Sequence, residues 1–195
     1  MKTFGHIVLV VIMVFITSSC TIRHSIEKDY PQYLAKNVGN ANLPKTDKAS
    51  EYFLTPATQQ YSYEFRAVVT GYANLWIVDF GKMLDDTLMS EDVQNAFGHL
   101  EKTLKQTADS NGLLIFDLRD FKFEGFAAHI SLKISLYRLG NLVFTETYTH
   151  SGKSQGAKMF WGGAFAQKNA VQQSTKLALD EIMRQLIADL NTYAG

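Results

Sequence analysis

Cysteine is almost missing from this chain. Cys20 is the single one, so no disulfide can form within one molecule and the fold must be held by packing. Proline is nearly as scarce: Pro31, Pro44 and Pro56 all fall in one stretch, leaving the chain beyond it free of that breaker of helices and strands. Neither sign of charge is in excess, since 19 Lys and Arg stand against 19 Asp and Glu. That balance argues against nucleic acid as a partner and against a polybasic attachment to anionic headgroups. No apolar run reaches the roughly 20 residues that a spanning helix needs. There is no GxSxG elbow, no P-loop and no GxGxxG after a strand. His24, His99, His129 and His150 show neither helical HxxxH spacing nor a Cys partner, so neither a metal nor another cofactor is expected.

What is present starts with a leader. Lys2 gives a thin basic start, and Phe4 to Ile16 is a largely apolar run of thirteen residues, the length of a secretory h-region. Thr17, Ser18 and Ser19 then lead into Cys20. This order resembles the lipobox of bacterial lipoproteins, in which the signal is cut before the cysteine and its thiol and new amine are acylated. Thr17 stands where that family prefers Leu. The resemblance implies a signal peptide over residues 1–19, lipidation of Cys20 with palmitate-type chains, and attachment to a membrane through them. Each buried methylene contributes roughly 0.8 kcal/mol, so several chains hold where one would not. Thr21, not being Asp, implies by the same family rule the cell outer membrane, with the body facing the periplasm.

Residues 20–60 are polar, carry all three prolines and include Asn37, Gly39, Asn40 and Asn42. They are expected to form a lipidated tether with local structure, in which Tyr30, Tyr33 and Leu34 make one helical turn against the domain. Pro31 permits that turn only as an early helix position. Residues 61–195 then suffice for a single domain. Glu64 to Tyr72 alternates as a first strand. Trp76 to Phe97 reads as an amphipathic helix, with Phe80, Leu84 and Leu88 four apart and Met83 beside them, followed by a turn or second short helix at Ser90. His99 to Gln106 is a weak strand candidate, and Asp109-Ser110-Asn111-Gly112 a turn.

Leu114, Phe116 and Leu118 alternate, yet the next apolar side chains are Phe121 and Phe123, so a bulge near Arg119 and Asp120 is expected. Ala128, Ile130, Leu132, Ile134 and Leu136 alternate cleanly with polar neighbours, giving one dry and one wet face. Gly140-Asn141 reads as a two-residue hairpin loop, which would pair Tyr137 with Phe144 and Lys133 with Tyr148. On that register Tyr137, Phe144 and Tyr148 gather on the wet face, either as a candidate partner contact or as cross-strand pairs that stabilise the sheet, and Thr145, Thr147 and Thr149 face the helices. Ser151 to Gly163 is expected as a glycine-rich loop holding Met159, Phe160 and Trp161. Exposed, these rings would form a contact patch for a partner or the membrane surface; tucked under the sheet, they would close the core. Gln167 to Leu190 reads as the longest helix, with Val171, Ala178, Ile182, Leu186 and Leu190 on one stripe and Gln172, Lys176, Asp180 and Arg184 on the far side.

The expected architecture is therefore α+β: two layers, with an antiparallel sheet of four to five strands and two helices on one face, in the order βαβββα. Trp76-Ile77-Val78-Asp79-Phe80-Gly81, the hairpin Leu136 to Val143, and Ala178-Leu179-Asp180-Glu181-Ile182 resemble the YajG-like bacterial lipoproteins and the related TolB amino-terminal domains. Tyr52-Phe53-Leu54 is similar to the opening of auxiliary lipoproteins that serve lipid-transport ABC systems. The first resemblance implies a non-enzymatic accessory module of envelope assembly or maintenance with a protein partner in the envelope. The second implies an apolar ligand handed to a transporter. Asp117 and Asp120, flanking the expected bulge, are the residues that a hydrolase would use, although Arg119 offers Asp117 a simpler ion-pair partner.

Overall fold

A computed structural model of the protein describes residues 21–67, 70–106, 112–154 and 159–193, the side chains of 159–162 and 164 excepted. In chain order the elements are β1 (Ile22–Ser25), a 3-10 turn (Glu27–Asp29), α1 (Tyr30–Ala35), β2 (Glu51–Leu54), α2 (Pro56–Gln59), β3 (Ser62–Phe65), β4 (Asn74–Asp79), α3 (Phe80–Leu88), α4 (Glu91–Phe97), β5 (Glu101–Lys102), β6 (Leu113–Glu124), β7 (Ala127–Arg138), β8 (Asn141–Lys153) and α5 (Met159–Tyr193). The α+β class holds, in two sheets: five strands in the order β5-β2-β6-β7-β8 and three in the order β1-β4-β3. The pairing is mixed, because β2 runs parallel to both β5 and β6, and β1 runs parallel to β4.

Period-two patterning builds the larger sheet. Ala128, Ile130, Leu132, Ile134 and Leu136 of β7 are all buried, as the alternation requires. The register of β6 against β7 slips between Leu118 and Asp120, and this bulge returns Phe121 and Phe123 to the buried face. Both hairpins turn on residue pairs with positive φ, Gly125-Phe126 and Leu139-Gly140, the backbone of the tight turn that matches strand twist. The stripe of α5 covers the dry face: Val171, Leu179, Ile182, Met183, Leu186, Ile187 and Leu190 are wholly buried. The helix bends at Gly163, whose φ and ψ are 55° and −138°. It approaches β8 so closely that a Cβ on Gly152 would sit 1.8 Å from the Ser174 carbonyl oxygen.

Residues 21–60 are not a tether. Ile26, Tyr30, Leu34, Tyr52 and Leu54 from this stretch all belong to the core. The expected helical turn is there as α1, with Pro31 in its first turn. The stretch looked like a tether because much of it is held by hydrogen bonds to its backbone carbonyls. Gln172 Nε2 donates to Ile26 O at 2.9 Å, Arg184 Nη2 to Ala41 O at 2.8 Å and Asn191 Nδ2 to Lys45 O at 2.9 Å. The side of α5 expected to be open to water is therefore covered: Gln172, Lys176 and Asp180 are buried, and Lys176 Nζ bridges Asp180 at 2.6 Å and Asp92 at 3.5 Å. Burial pushes the Asp180 carboxyl above its ordinary range, against the pull of Lys176.

Trp76 to Asp79 is strand rather than the start of a helix. Ile77 and Val78 suit a strand, and the Asp79 carboxylate accepts from Lys82 N at 3.4 Å, so helical structure starts only at Phe80. From there Phe80, Met83, Leu84 and Leu88 are buried, and the second short helix follows Ser90 as expected. The first strand is shorter than its alternation suggested and ends at Phe65. Rings join the small sheet to the far half of β6: Tyr63 meets Phe121 edge-on with centroids 5.5 Å apart, Phe65 lies 5.3 Å from Phe123, and Phe80 4.9 Å from Phe121.

Candidate functional site

The aromatic cluster expected on the wet face does not form. The turn is Leu139-Gly140 rather than Gly140-Asn141, so Arg138 opposes Asn141 and Tyr137 opposes Leu142. A one-residue slip then sets Leu136 against Phe144 and Leu132 against Tyr148. A slip of one residue sends every later side chain to the other face. Tyr148 is consequently buried on the helix side, donating its hydroxyl to Asp189 at 2.7 Å. Burial and that carboxylate push its phenol well above the usual tyrosine range. Phe144 packs 5.7 Å from the Tyr193 ring, and Tyr137 alone of the three stays on the wet face, half-buried. Thr145, Thr147 and Thr149 are exposed, and a hydroxyl ladder joins Ser131 to Thr149 and Ser135 to Thr145, each at 2.9 Å. The side chains of Met159, Phe160 and Trp161 lie outside the described residues, as does Cys20; the backbone of 159–161, expected as loop, is helical.

Ionisable residues are spread rather than convergent. Asp117 pairs with Arg119 at 3.0 Å and accepts from the Thr55 hydroxyl at 3.4 Å, while Asp120 lies exposed beyond the bulge. His129 Nδ1 meets Ser151 Oγ at 2.7 Å, whereas His150 opposes Ile130. Among the described residues, no three His, Cys, Asp or Glu side chains are placed to hold a metal ion. Tyr52 donates to Asp85 at 2.8 Å, and Lys102 pairs with the other oxygen of that carboxylate at 2.8 Å. The neighbouring Asp86 has a buried Oδ2 with no hydrogen-bond partner. Burial pushes its carboxyl up to about 6, Lys82 opposing the shift and Asp85, Asp79 and Glu27 adding to it.

Two surface regions stand out. The first surrounds β1, the edge strand of the small sheet, which opens at Ile22 immediately after Thr21. A groove of about 330 Å³ is lined there by Arg23, His24, Ser25, Trp76, Phe165 and Lys168. His24 stacks on Trp76 at 4.5 Å and meets Asn74 Oδ1 at 2.7 Å, which holds the groove floor. Arg23 pairs with Glu64 at 2.8 Å, and Lys168 with Asp29. The second region is the tip of the β7–β8 hairpin, where Leu139, Leu142 and Val143 are exposed. About 40 Å of helix, from Phe165 to Tyr193 beside Phe144, separates the two. The polar composition of residues 20–60 hides the β1 surface from the sequence. No period-two apolar pattern marks Ile22 to Ser25, which run exposed, exposed, half-buried, half-buried; the strand is set by its pairing with β4.

The chain matches no protein-family model and none of the curated proteins. Among solved structures it is similar to protein XCC0632 from Xanthomonas campestris, described there under the family model DUF330. The TM-score is 0.50 at 16% identity, covering 78% of this chain and 90% of that one. The hypothetical protein CT253 from Chlamydia trachomatis aligns with a TM-score of 0.41 at 10% identity, covering 74% and 97%. At such identity the likeness to XCC0632 is one of fold.

Proposed function

We propose that this chain is a bacterial lipoprotein, held at the periplasmic face of the outer membrane by acyl chains on Cys20, and that it acts as a non-enzymatic interaction module of envelope assembly or maintenance. The carrying observation is the junction of leader and body. A short apolar run and three small residues end at Cys20, and β1 begins two residues later. The resemblance of Trp76 to Gly81, of the hairpin and of Ala178 to Ile182 to YajG-like and TolB amino-terminal domains supports the same reading. The partner-facing surface on this proposal is the hairpin tip, since Leu139, Leu142 and Val143 crowd apolar area at the end of the body away from the anchor. Mass spectrometry of the native protein tests the anchor: a free Cys20 thiol or retention of residues 1–19 overturns it. A photo-crosslinking residue at Leu142 tests the module. It should capture one envelope protein in living cells, with the capture abolished by Val143→Asp; diffuse capture, equal at Leu142 and at Thr147, overturns it.

A second reading follows the likeness of Tyr52-Phe53-Leu54 to auxiliary lipoproteins of lipid-transport systems. A groove of about 320 Å³ beside α1 favours it, lined by Leu34, Ala35, Val38 and Met89 together with Asp86 and Glu91. Its apolar strip has room for part of an acyl chain. A lipid that copurifies with the gently extracted protein and is lost from Met89→Glu supports this reading.

A further inference from the structure

The geometry points to the β1 surface as a bilayer-docking face: Ile22, Arg23, Arg66, Tyr72, Phe165 and Lys168 seat the folded body directly on a membrane that carries anionic headgroups. This rests on the lipid anchor proposed above and assigns the surface the anchor presents. Two residues of extended chain span at most about 7 Å, so acyl chains on Cys20 hold the membrane interface within that distance of Ile22. A body tied so closely has little freedom to swing, and the face around β1 is the one that meets the headgroups.

The chemistry of that face suits the contact. Phe165 is 82%, Tyr72 69% and Ile22 53% exposed, three apolar or aromatic side chains set about one edge strand. Cations stand between them. Arg66 donates to the Tyr72 carbonyl and, at 3.4 Å, to Oγ1 of Thr21, the residue that follows the proposed anchor. Arg23 and Lys168 flank the groove that Phe165 overhangs. Their partners Glu64 and Asp29 leave three cations against two carboxylates, a positive surplus on this face of a chain whose total charge is balanced. Rings at the acyl boundary with Lys and Arg at the phosphates is the composition of an interfacial membrane surface. The groove between Arg23 and Lys168 would receive a headgroup phosphate, each cation then exchanging or sharing its carboxylate for a second anion. The surplus is too small for attachment by itself, so its role is to orient a body that the lipid already holds.

The test uses the full lipidated chain reconstituted into phosphatidylcholine vesicles with and without phosphatidylglycerol. With Cys20 acylated, a dye placed on Phe165→Cys or, separately, on Thr145→Cys labels one site only. Thr145 is the control, since it lies by the far end of α5. Brominated acyl chains should quench the dye at residue 165 and spare it at residue 145, with stronger quenching in the anionic vesicles. Replacing Arg23 and Lys168 together by Gln, which avoids setting new carboxylates beside Glu64 and Asp29, should remove that lipid preference, a change of about tenfold in the ratio of docked to undocked body. Equal quenching at the two sites overturns the docking face. Quenching at residue 165 that ignores both the anionic lipid and the Gln pair overturns the headgroup assignment. A chain that stays off the vesicles and takes up dye at Cys20 overturns the anchor instead, a result separate from either.

Discussion

In the larger sheet β6, β7 and β8 follow one another through two-residue turns, whereas in the smaller sheet β1 finds its parallel partner β4 far along the chain, Ile22 opposite Asn74. The first arrangement needs only local contacts. The second requires closure of a long loop before any contact offsets its entropy. The two regions also differ in what secures them. A continuous aliphatic stripe on α5 covers the long strands, while rings and side-chain hydrogen bonds to carbonyls hold the small sheet and the segment after it. Such a difference predicts that the β1 end opens more readily than the hairpin end, and that each can be weakened with the other spared.

The largest effect should come from Trp76→Ala. It removes a wholly buried ring that stacks on His24 and donates from Nε1 to Thr70 Oγ1 at 3.1 Å, at a cost of about 3–5 kcal/mol. Hydrogen exchange should accelerate through β1 and β4 while β7 amides stay protected; uniform acceleration would merge the two regions into one cooperative unit. Gly152→Ala acts on the opposite half. Its Cβ would need the space of the Ser174 carbonyl, so α5 must lift from β8 at about 3 kcal/mol, with the loss of protection centred on α5 and β8.

The smallest effect is a gain. Because the Asp86 carboxyl is raised from 3.8 to about 6 in the folded state, the folded protein binds that proton more tightly than the unfolded chain. Stability from this group therefore rises as pH falls from neutrality through 6 and is complete below the unfolded value. Asp86→Asn removes the charge in the same shape. Discounted for partial exposure, it should stabilise the protein by about 1 kcal/mol near pH 7, and the advantage should vanish as pH approaches 4. Denaturant titrations of both forms across that range check it; an advantage that persists at low pH would mean that Asp86 is not the titrating group.

Legibility followed the same division. The alternation of β7, the bulge near Arg119, the buried stripe of α5 and the α3 pattern of Phe80, Leu84 and Leu88 were all readable, since each is a local periodicity written in consecutive residues. The hairpin register was not. Leu139 adopts φ of 47°, a conformation that favours Gly or Asn, so the rule pointing to Gly140-Asn141 placed the loop one residue late. The loop shift alone keeps the faces, because it moves the pairing by two residues; the bulge between Leu136 and Tyr137 adds the odd residue that turns Phe144 and Tyr148 to the helix side and brings the threonines out. The segment after Thr21 is illegible for another reason: its polar composition reads as a lack of packing, although its carbonyls are partners for Gln172, Arg184 and Asn191.

By itself the sequence determined the α+β class, the dry face of the long strands, and the helix that covers it, because hydrophobic spacing acts over a few residues and needs no knowledge of distant partners. It also supplied the apolar run and the small residues that end at Cys20, on which the proposed anchor rests. Tertiary structure alone decided the parallel pairing of β1 with β4, the inward turn of Phe144 and Tyr148, and the gathering of Ile22, Tyr72 and Phe165 at one edge. Those outcomes depend on contacts between residues far apart in the chain, whose free energies are settled only when the whole body packs together.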